Sequence, residues 1–302
     1  MNSVPRPDVV AVGVDGSAAS TAAVDWAAAE ADRRDASLLV VTVVELPQTT
    51  GNHLDDAADV PSMVFDDARR RATLACTRAA TVLPAGRVSS EVVEGSAAAH
   101  LVKVSESAAL VVVGNKRRST FGSFAAASVS FPVAAHAHCP VVLVPEYGGH
   151  SGGDQSAVRG VVVGVDGSHA ASQALALAGE MAARAGEPLT IVGAWDIPAT
   201  GAWTNSAWAD GGGDPTWSEA MRDVATDTLQ RAAALVRELH PDLDVSTQVV
   251  QAPAARALID AGGAAALVVV GSRGRGGFAS LVLGSVSHAV THDCAAPVMI
   301  VR

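Results

Sequence analysis

Short apolar runs rich in valine and leucine alternate along the chain with alanine-rich stretches whose apolar residues recur every three or four positions. The run Val9 to Val14 reads as a strand, and the stretch after it places Ala23, Trp26, Ala27, Glu30 and Ala31 at helical spacing. A β-branched run from Leu38 to Val44 reads as the next strand. A long loop and a second helical stretch follow, then a strand from Val88 to Val93, a short helix from Ala98 to Ser105 and a strand from Leu110 to Val113. A loop, a helix and a closing strand from Val141 to Val144 complete the series. The strands are continuous apolar runs rather than alternating ones, as expected of a parallel sheet buried on both faces. Strands alternating with helices predict a doubly wound α/β domain of five parallel strands.

The pattern then occurs a second time. The strands recur at Val161 to Val165, Leu189 to Trp195, Val245 to Val250, Leu267 to Val270 and Val298 to Val301. Leu175, Ala178, Met181 and Ala182 repeat the first helix, and Ala254 to Ala261 the short one. In the second long helix Met221, Val224, Thr228, Ala232, Leu235 and Leu239 sit three or four apart, which predicts one apolar face. Asp166 follows Asp15 by 151 positions and Gly271 follows Gly114 by 157, so the second copy has gained residues in between. The Gly- and Trp-rich stretch TGAWTNSAWADGGGDPTW is the natural place for them. The polar, glycine-rich segment Pro145 to Gly160 reads as a linker. Two tandem domains are expected, over residues 1–147 and 158–302.

Composition narrows the class. The 302 residues are 49% hydrophobic and 17% charged, enough for two packed cores. A net charge of −10 argues against a nucleic-acid partner, which needs a basic face. Three cysteines, Cys76, Cys139 and Cys294, without CxxC spacing argue against a disulfide framework and for a reducing cytoplasm. Cys76 reads as a small core residue of its helix. No apolar run approaches the ~18 residues that span a bilayer, and the N-terminus does not read as a signal peptide. The expectation is a soluble cytoplasmic protein with no membrane partner.

Two features fall where such sheets bind ligands, beyond the carboxyl ends of strands. One is Asp-Gly-Ser after the first strand of each copy. The other is a glycine loop in the second copy: Gly271, two residues, Gly274, nine residues, then Gly284-Ser285. Glycine permits φ > 0 and lets a ligand approach the main chain. Ser285 and Val286 fall at a helix start, where free N–H groups and the dipole favour an anion. Gly271, Ser272, Arg273, Gly274, Arg275, Gly276 and Gly277, with Gly284, Ser285, Val286 and Ser287, together describe a phosphate cradle. Asp166, close to Gly164 at its strand end, could accept hydrogen bonds from ribose hydroxyls. A carboxylate beside phosphates would repel them, so it belongs at the sugar end.

In this order the motifs resemble the universal stress protein family, in its ATP-binding branch, over essentially the whole chain and twice. The resemblance implies an adenine nucleotide, ATP with or without Mg2+, held by the glycine loop, by the first-strand aspartate and by backbone near Val192 and Ala194. The matching positions of the first copy are Gly13, Asp15, Val41 and Val43, then Gly114, Asn115, Lys116, Arg117 and Arg118, then Ser128, Val129 and Ser130. It also implies that the copies pair through their apolar closing strands as an internal pseudo-dimer, with a homodimer of the chain left open. A regulator or sensor in stress or dormancy is implied, rather than a metabolic step, with slow ATP hydrolysis left open. The alternative is an interaction module of the same fold that does not depend on nucleotide.

The first copy departs from the motif. Arg117 stands where Gly274 stands, and Ala127 where Gly284 stands. Alanine at a helix start is a mild change unless φ is positive there. A left-handed Arg117 would cost roughly 1–2 kcal/mol, although Lys116 to Arg118 could hold phosphates by charge instead. Either two nucleotides, or one nucleotide and a scaffold, fit the sequence. Asp15 and Asp166 also suit turn-capping bonds, a role compatible with ligand binding. Gly274, Gly276 and Ala279 match the dinucleotide fingerprint only weakly, after a late strand and with no acidic residue about 20 positions on. No Walker-type phosphate loop occurs. His136, His138 and Cys139 do not align between copies with His288, His292 and Cys294, so no metal site is expected. Trp195, Trp203, Trp208 and Trp217 suggest either a structural cover over the sheet end or a lid.

Overall fold

The computed structural model describes residues 9–46, 60–115, 129–146, 160–196, 215–275 and 282–302. The chain forms two compact units, residues 1–154 with 295–302 and residues 155–294. In the first, β1 (Val9–Gly13), α1 (Ala18–Arg33), β2 (Ser37–Val44), α2 (Val60–Ala79) and β3 (Val88–Glu94) are followed by α3 (Ala97–Val104), β4 (Leu110–Asn115), α4 (Ser130–His136) and β5 (Val141–Pro145). The parallel order is β3-β2-β1-β4-β5. The second unit runs β6 (Val161–Gly164), α5 (His169–Ala185), β7 (Leu189–Trp195), α6 (Pro215–Leu239), β8 (Val245–Gln251), α7 (Ala254–Gly262), β9 (Leu267–Gly271) and α8 (Ser285–Asp293). Its parallel order is β9-β6-β7-β8. The last strand of the chain, β10 (Val298–Val301), belongs to the first unit and pairs antiparallel with β5, Met299 opposite Val142. The closing strands of the two repeats therefore pair with each other.

The central strands are buried apolar runs, as the sequence predicts. The outer strands β3 and β8 are not: Ser89, Ser90, Ser246 and Thr247 are exposed. These positions face water at a sheet edge, where polar side chains discourage pairing with another chain.

Both Asp-Gly-Ser segments make the same turn. Gly16 and Gly167 have φ of +81° and +82°, a left-handed conformation that favours glycine. The serines that follow cap the next helices. Ser17 Oγ accepts from Ser20 N–H and Ser168 Oγ from Ala171 N–H, each at 3.2 Å. The chain thus passes in four residues from strand end to helix start. Each first strand has its neighbours on both sides, β1 between β2 and β4, β6 between β7 and β9. The strand order reverses there, and a crevice opens at the carboxyl ends.

Helix α6 does not bury the face that its spacing predicts. Leu235 and Leu239 are 48% and 59% exposed, and Met221 and Val224 also face water. The face on the sheet is Leu229, Ala232, Ala233 and Val236. The reason lies in β7. A Cβ on Gly193 would come within 3.0 Å of Leu229 Cδ2, so the strand leaves a gap that this leucine fills. Alanines beside it let the helix lie close to the sheet. In the first unit the matching positions exchange sizes, Ala72 on the helix and Thr42 on the strand, both buried. Cys76, expected in the core, is only half-buried, because Ala68, Ala72, Ala75 and Ala79 form the packed face of α2.

Replacing Leu229 with Ala should destabilise the second unit by about 2–5 kcal/mol. Leu235→Ala should stay within about 0.5 kcal/mol. Urea denaturation followed by circular dichroism separates the two, and equal effects would contradict this packing.

Candidate functional site

A cavity of about 360 Å³ opens at the carboxyl ends of β6 and β9, inside the second unit. Gly164, Asp166, Val192 and Ala194 line it from the strand side. Gly271, Arg273, Gly274 and Arg275 line it from the loop, and Gly284, Ser285, Val286 and Ser287 from the start of α8. Residues of four separate segments are thereby brought together. Ser272 is not among them. It is buried, and its carbonyl accepts from Gly284 N–H at 2.8 Å. Gly276 and Gly277 lie outside the described residues, as do Trp203 and Trp208.

The Asp166 carboxylate is fixed from two directions. Oδ1 accepts from Ser168 N–H at 2.9 Å, the turn-capping bond expected of Asp-Gly-Ser. Oδ2 accepts from Arg275 N–H at 3.1 Å. A carboxylate offers about four lone-pair sites, so acceptor capacity remains toward the cavity.

The glycines do their work by close approach, not by φ. Gly271, Gly274 and Gly284 all lie outside the left-handed region. A Cβ on Gly274 would stand 2.6 Å from Asp166 Oδ2, so any side chain there displaces the carboxylate. A Cβ on Gly271 would stand 2.8 Å from the Ala170 carbonyl carbon, where α5 begins. Gly114 is held the same way, 2.6 Å from the Ala19 carbonyl carbon, which explains its retention in both repeats by packing alone. Gly284 is the permissive position: its φ of −69° and ψ of 155° suit any residue, and the nearest atom to a Cβ is 3.4 Å away. Alanine at the matching Ala127 is thus a mild change. An arginine placed at Gly274 would meet the Asp166 carboxylate, a steric obstacle rather than left-handed strain; Arg117 itself lies outside the described residues.

Helix α8 begins at Gly284 with no side-chain cap. By contrast α1, α3 and α5 are capped by Ser17, Ser96 and Ser168. Three of the first-turn residues of α8, Ser285, Val286 and Ser287, line the cavity, and uncapped first-turn N–H groups favour an anion. The Ser287 hydroxyl itself donates to the Gly271 carbonyl at 2.6 Å, so it ties the helix to the strand end.

On the opposite wall, the Val192 carbonyl accepts from Val165 N–H at 2.9 Å and closes the ladder beyond β6. Two residues on, Ala194 presents its peptide groups along the same edge of β7, past the end of β6. The sequence reading missed Val165, Ala171, Ala254, Leu258 and Val270, which complete the lining. A signal for Leu258 existed. It matches Leu101 in the repeat register, and a Cβ on Gly164 or Gly13 would lie 2.9 Å from the Cδ1 of Leu258 or Leu101 respectively. The strand-end glycine and the leucine over it are thus one packing unit in both copies.

The first unit carries a smaller version, about 110 Å³. Gly13, Asp15, Val41, Val43, Gly114, Val129 and Ser130 line it, together with Ser17, Ser20, Ala97 and Leu101, which sequence reading did not single out. Asn115 does not line it; its side-chain oxygen accepts from the Ser130 hydroxyl at 3.5 Å. Lys116, Arg117, Arg118 and Ser128 lie outside the described residues. Asp15 Oδ1 accepts from Ser17 N–H at 2.9 Å, as in the other copy. Here Arg71 of α2 lies over the turn, donating to the Asp15 carbonyl at 3.3 Å. Arg71 is paired with Asp67, whose carboxyl is held below the usual range by its hydrogen bond to Arg71 and then by that to Arg70. The matching position of the second unit is Thr228, and the guanidinium near Gly167 comes from Arg275 instead.

The fold and this crevice define a class: tandem doubly wound α/β domains with a glycine loop and an open helix start at the strand switch point. The universal stress protein family model matches residues 8–145 and 158–302, and the chain belongs to that family. A universal stress protein of Mycobacterium tuberculosis strain H37Rv is 33% identical over 301 residues, covering 97% of this chain and 96% of its own length. One from Mycolicibacterium smegmatis is 34% identical over 303 residues with the same coverages. Among solved structures, a universal stress protein from Archaeoglobus fulgidus shares the fold at TM-score 0.66 and 20% identity, over 98% of this chain and 99% of that one. A putative universal stress protein from Pseudomonas aeruginosa matches at TM-score 0.55 and 13% identity, over 98% and 92%. No helix among the described residues is long and apolar enough to cross a membrane.

Gly274→Ala should force the Asp166 carboxylate aside and cost about 1–3 kcal/mol, as overpacking does. Gly284→Ala should cost no more than about 0.5 kcal/mol. Thermal denaturation of the two variants distinguishes them, and a neutral Gly274→Ala would contradict the close approach.

Proposed function

We propose that the second unit binds an adenine nucleotide, ATP, and that the chain acts as a regulator or sensor in the response to stress or dormancy. The observation that carries the reading is the convergence of three complementary groups on one cavity of about 360 Å³. That volume falls at the lower end of the range for small-molecule sites, about 300–1,000 Å³. The uncapped start of α8 suits the phosphates, with Arg273 and Arg275 lining the same side. Asp166 suits the ribose hydroxyls, as a carboxylate that keeps acceptor capacity after its two backbone bonds. The edge of β7 at Ala194 offers a peptide donor and acceptor, the pair that an adenine amino group and ring nitrogen require. Ala254 and Leu258 supply an apolar wall for the base. Mg2+ would accompany the phosphates as part of the ligand.

The site reads as a binding site rather than an enzyme centre. Its carboxylate is committed to two backbone N–H donors, and the groups on the phosphate side are backbone amides and arginines. The cytoplasm is the compartment that fits such a ligand.

A second reading, of an interaction module independent of nucleotide, is favoured at one place. The first-unit cavity of about 110 Å³ is well below the usual size of a nucleotide site. The first unit on this reading is a scaffold for the second.

Titration calorimetry with ATP tests the proposal. The wild-type chain should bind, and Gly274→Glu should lose at least ~100-fold in affinity, because it sets a second carboxylate against Asp166. Circular dichroism should be unchanged. No heat from wild type at millimolar ATP, or undiminished binding by the variant, would contradict it.

A further inference from the structure

The loop after β9 is fastened at three points by the protein's own hydrogen bonds. The Gly271 carbonyl accepts from the Ser287 hydroxyl at 2.6 Å, and the Ser272 carbonyl from Gly284 N–H at 2.8 Å. Both tie the loop to the start of α8. The third fastening crosses the site: Arg275 N–H donates to Asp166 Oδ2 at 3.1 Å, from 109 positions away in sequence. Gly274 makes it attainable, since a Cβ there would fall 2.6 Å from that oxygen.

We infer that Asp166 is a positioning residue, which holds Gly274 and Arg275 in place on the cavity wall as well as facing the sugar. The chemistry explains why the position needs a carboxylate. Two N–H donors, Ser168 and Arg275, fall on its two different oxygens. Asparagine has one acceptor oxygen and one NH2 group, so one of the backbone donors would meet another donor. A carboxylate accepts both, and its charge strengthens both bonds. Each oxygen keeps a further lone pair, so the same group can hold the loop and a ligand hydroxyl together. The segment Ser272 to Arg275 is therefore held by protein contacts before any ligand arrives, which lowers the ordering cost of ligand binding. The consequence for affinity rests on the nucleotide reading; the fastening itself does not.

Hydrogen exchange of nucleotide-free protein tests this residue by residue. In Asp166→Ala the Arg275 amide should exchange about tenfold faster, the scale of one charge-assisted hydrogen bond. The amides of β6, β7 and β9 should keep their wild-type rates. Gly274→Ala provides an independent arm: it retains Asp166 but pushes the carboxylate away, and it should speed Arg275 in the same way. An unchanged Arg275 rate in these variants would overturn the inference. Faster exchange spread through β6 and β9 would overturn it too, by making Asp166 a general support of the fold. If Arg275 responds as expected while wild type fails to bind ATP, the fastening stands and the nucleotide reading falls.

Discussion

One carboxylate joins three segments of the second unit. Asp166 follows the first strand of its repeat, closes the turn that starts α5 by accepting from Ser168, and reaches the loop after β9 by accepting from Arg275. The left-handed Gly167 sets the turn, and the bare Gly274 leaves room for the oxygen. The arrangement adds a direct tie between strand end and loop to the close approach of Gly271 to Ala170 and the bonds from Gly284 and Ser287. With it, the crevice predicted for a doubly wound sheet acquires a defined wall, and the open start of α8 faces it.

The two repeats show which parts of this design the packing requires in both copies and which only one copy has. Gly114 and Gly271 both let a helix start approach a strand end, and Gly13 and Gly164 both make room for a leucine. These features are kept in both copies because the packing needs them in both. The second copy alone has Gly274, the one glycine that clears the carboxylate, and alone has the larger cavity. The first copy keeps the Asp-Gly-Ser turn and lays Arg71 over it. Tandem duplication thus leaves a shared frame with unequal sites, within a family to which both repeats belong.

Much of this was legible in the residues. Strands announced themselves as valine and leucine runs, the repeat fixed the register, and Asp-Gly-Ser foretold the turn; the helix caps at Ser17 and Ser168 came from the structure. The buried face of α6 was not legible, because four large apolar residues point to water and the packing is set by a gap at Gly193 on a different element. The glycine loop was located correctly but explained incompletely. Sequence suggests left-handed backbone at such positions, whereas close approach across 109 positions cannot be read from local spacing. Leu258 escaped notice because a leucine in a short helix looks like ordinary core, although its match with Leu101 was available. Ser272 looked like a loop residue at the site and proved to be a buried brace.

The central claim is spatial: a nucleotide lies in the crevice of the second unit with its sugar at Asp166. A crystal structure of the chain grown with ATP addresses it most directly. The account predicts phosphate oxygens within hydrogen-bond distance of the Ser285 and Val286 amides, a ribose hydroxyl on Asp166 and the base against Ala194. A nucleotide bound elsewhere, or one whose phosphates rather than sugar approach Asp166, would contradict it.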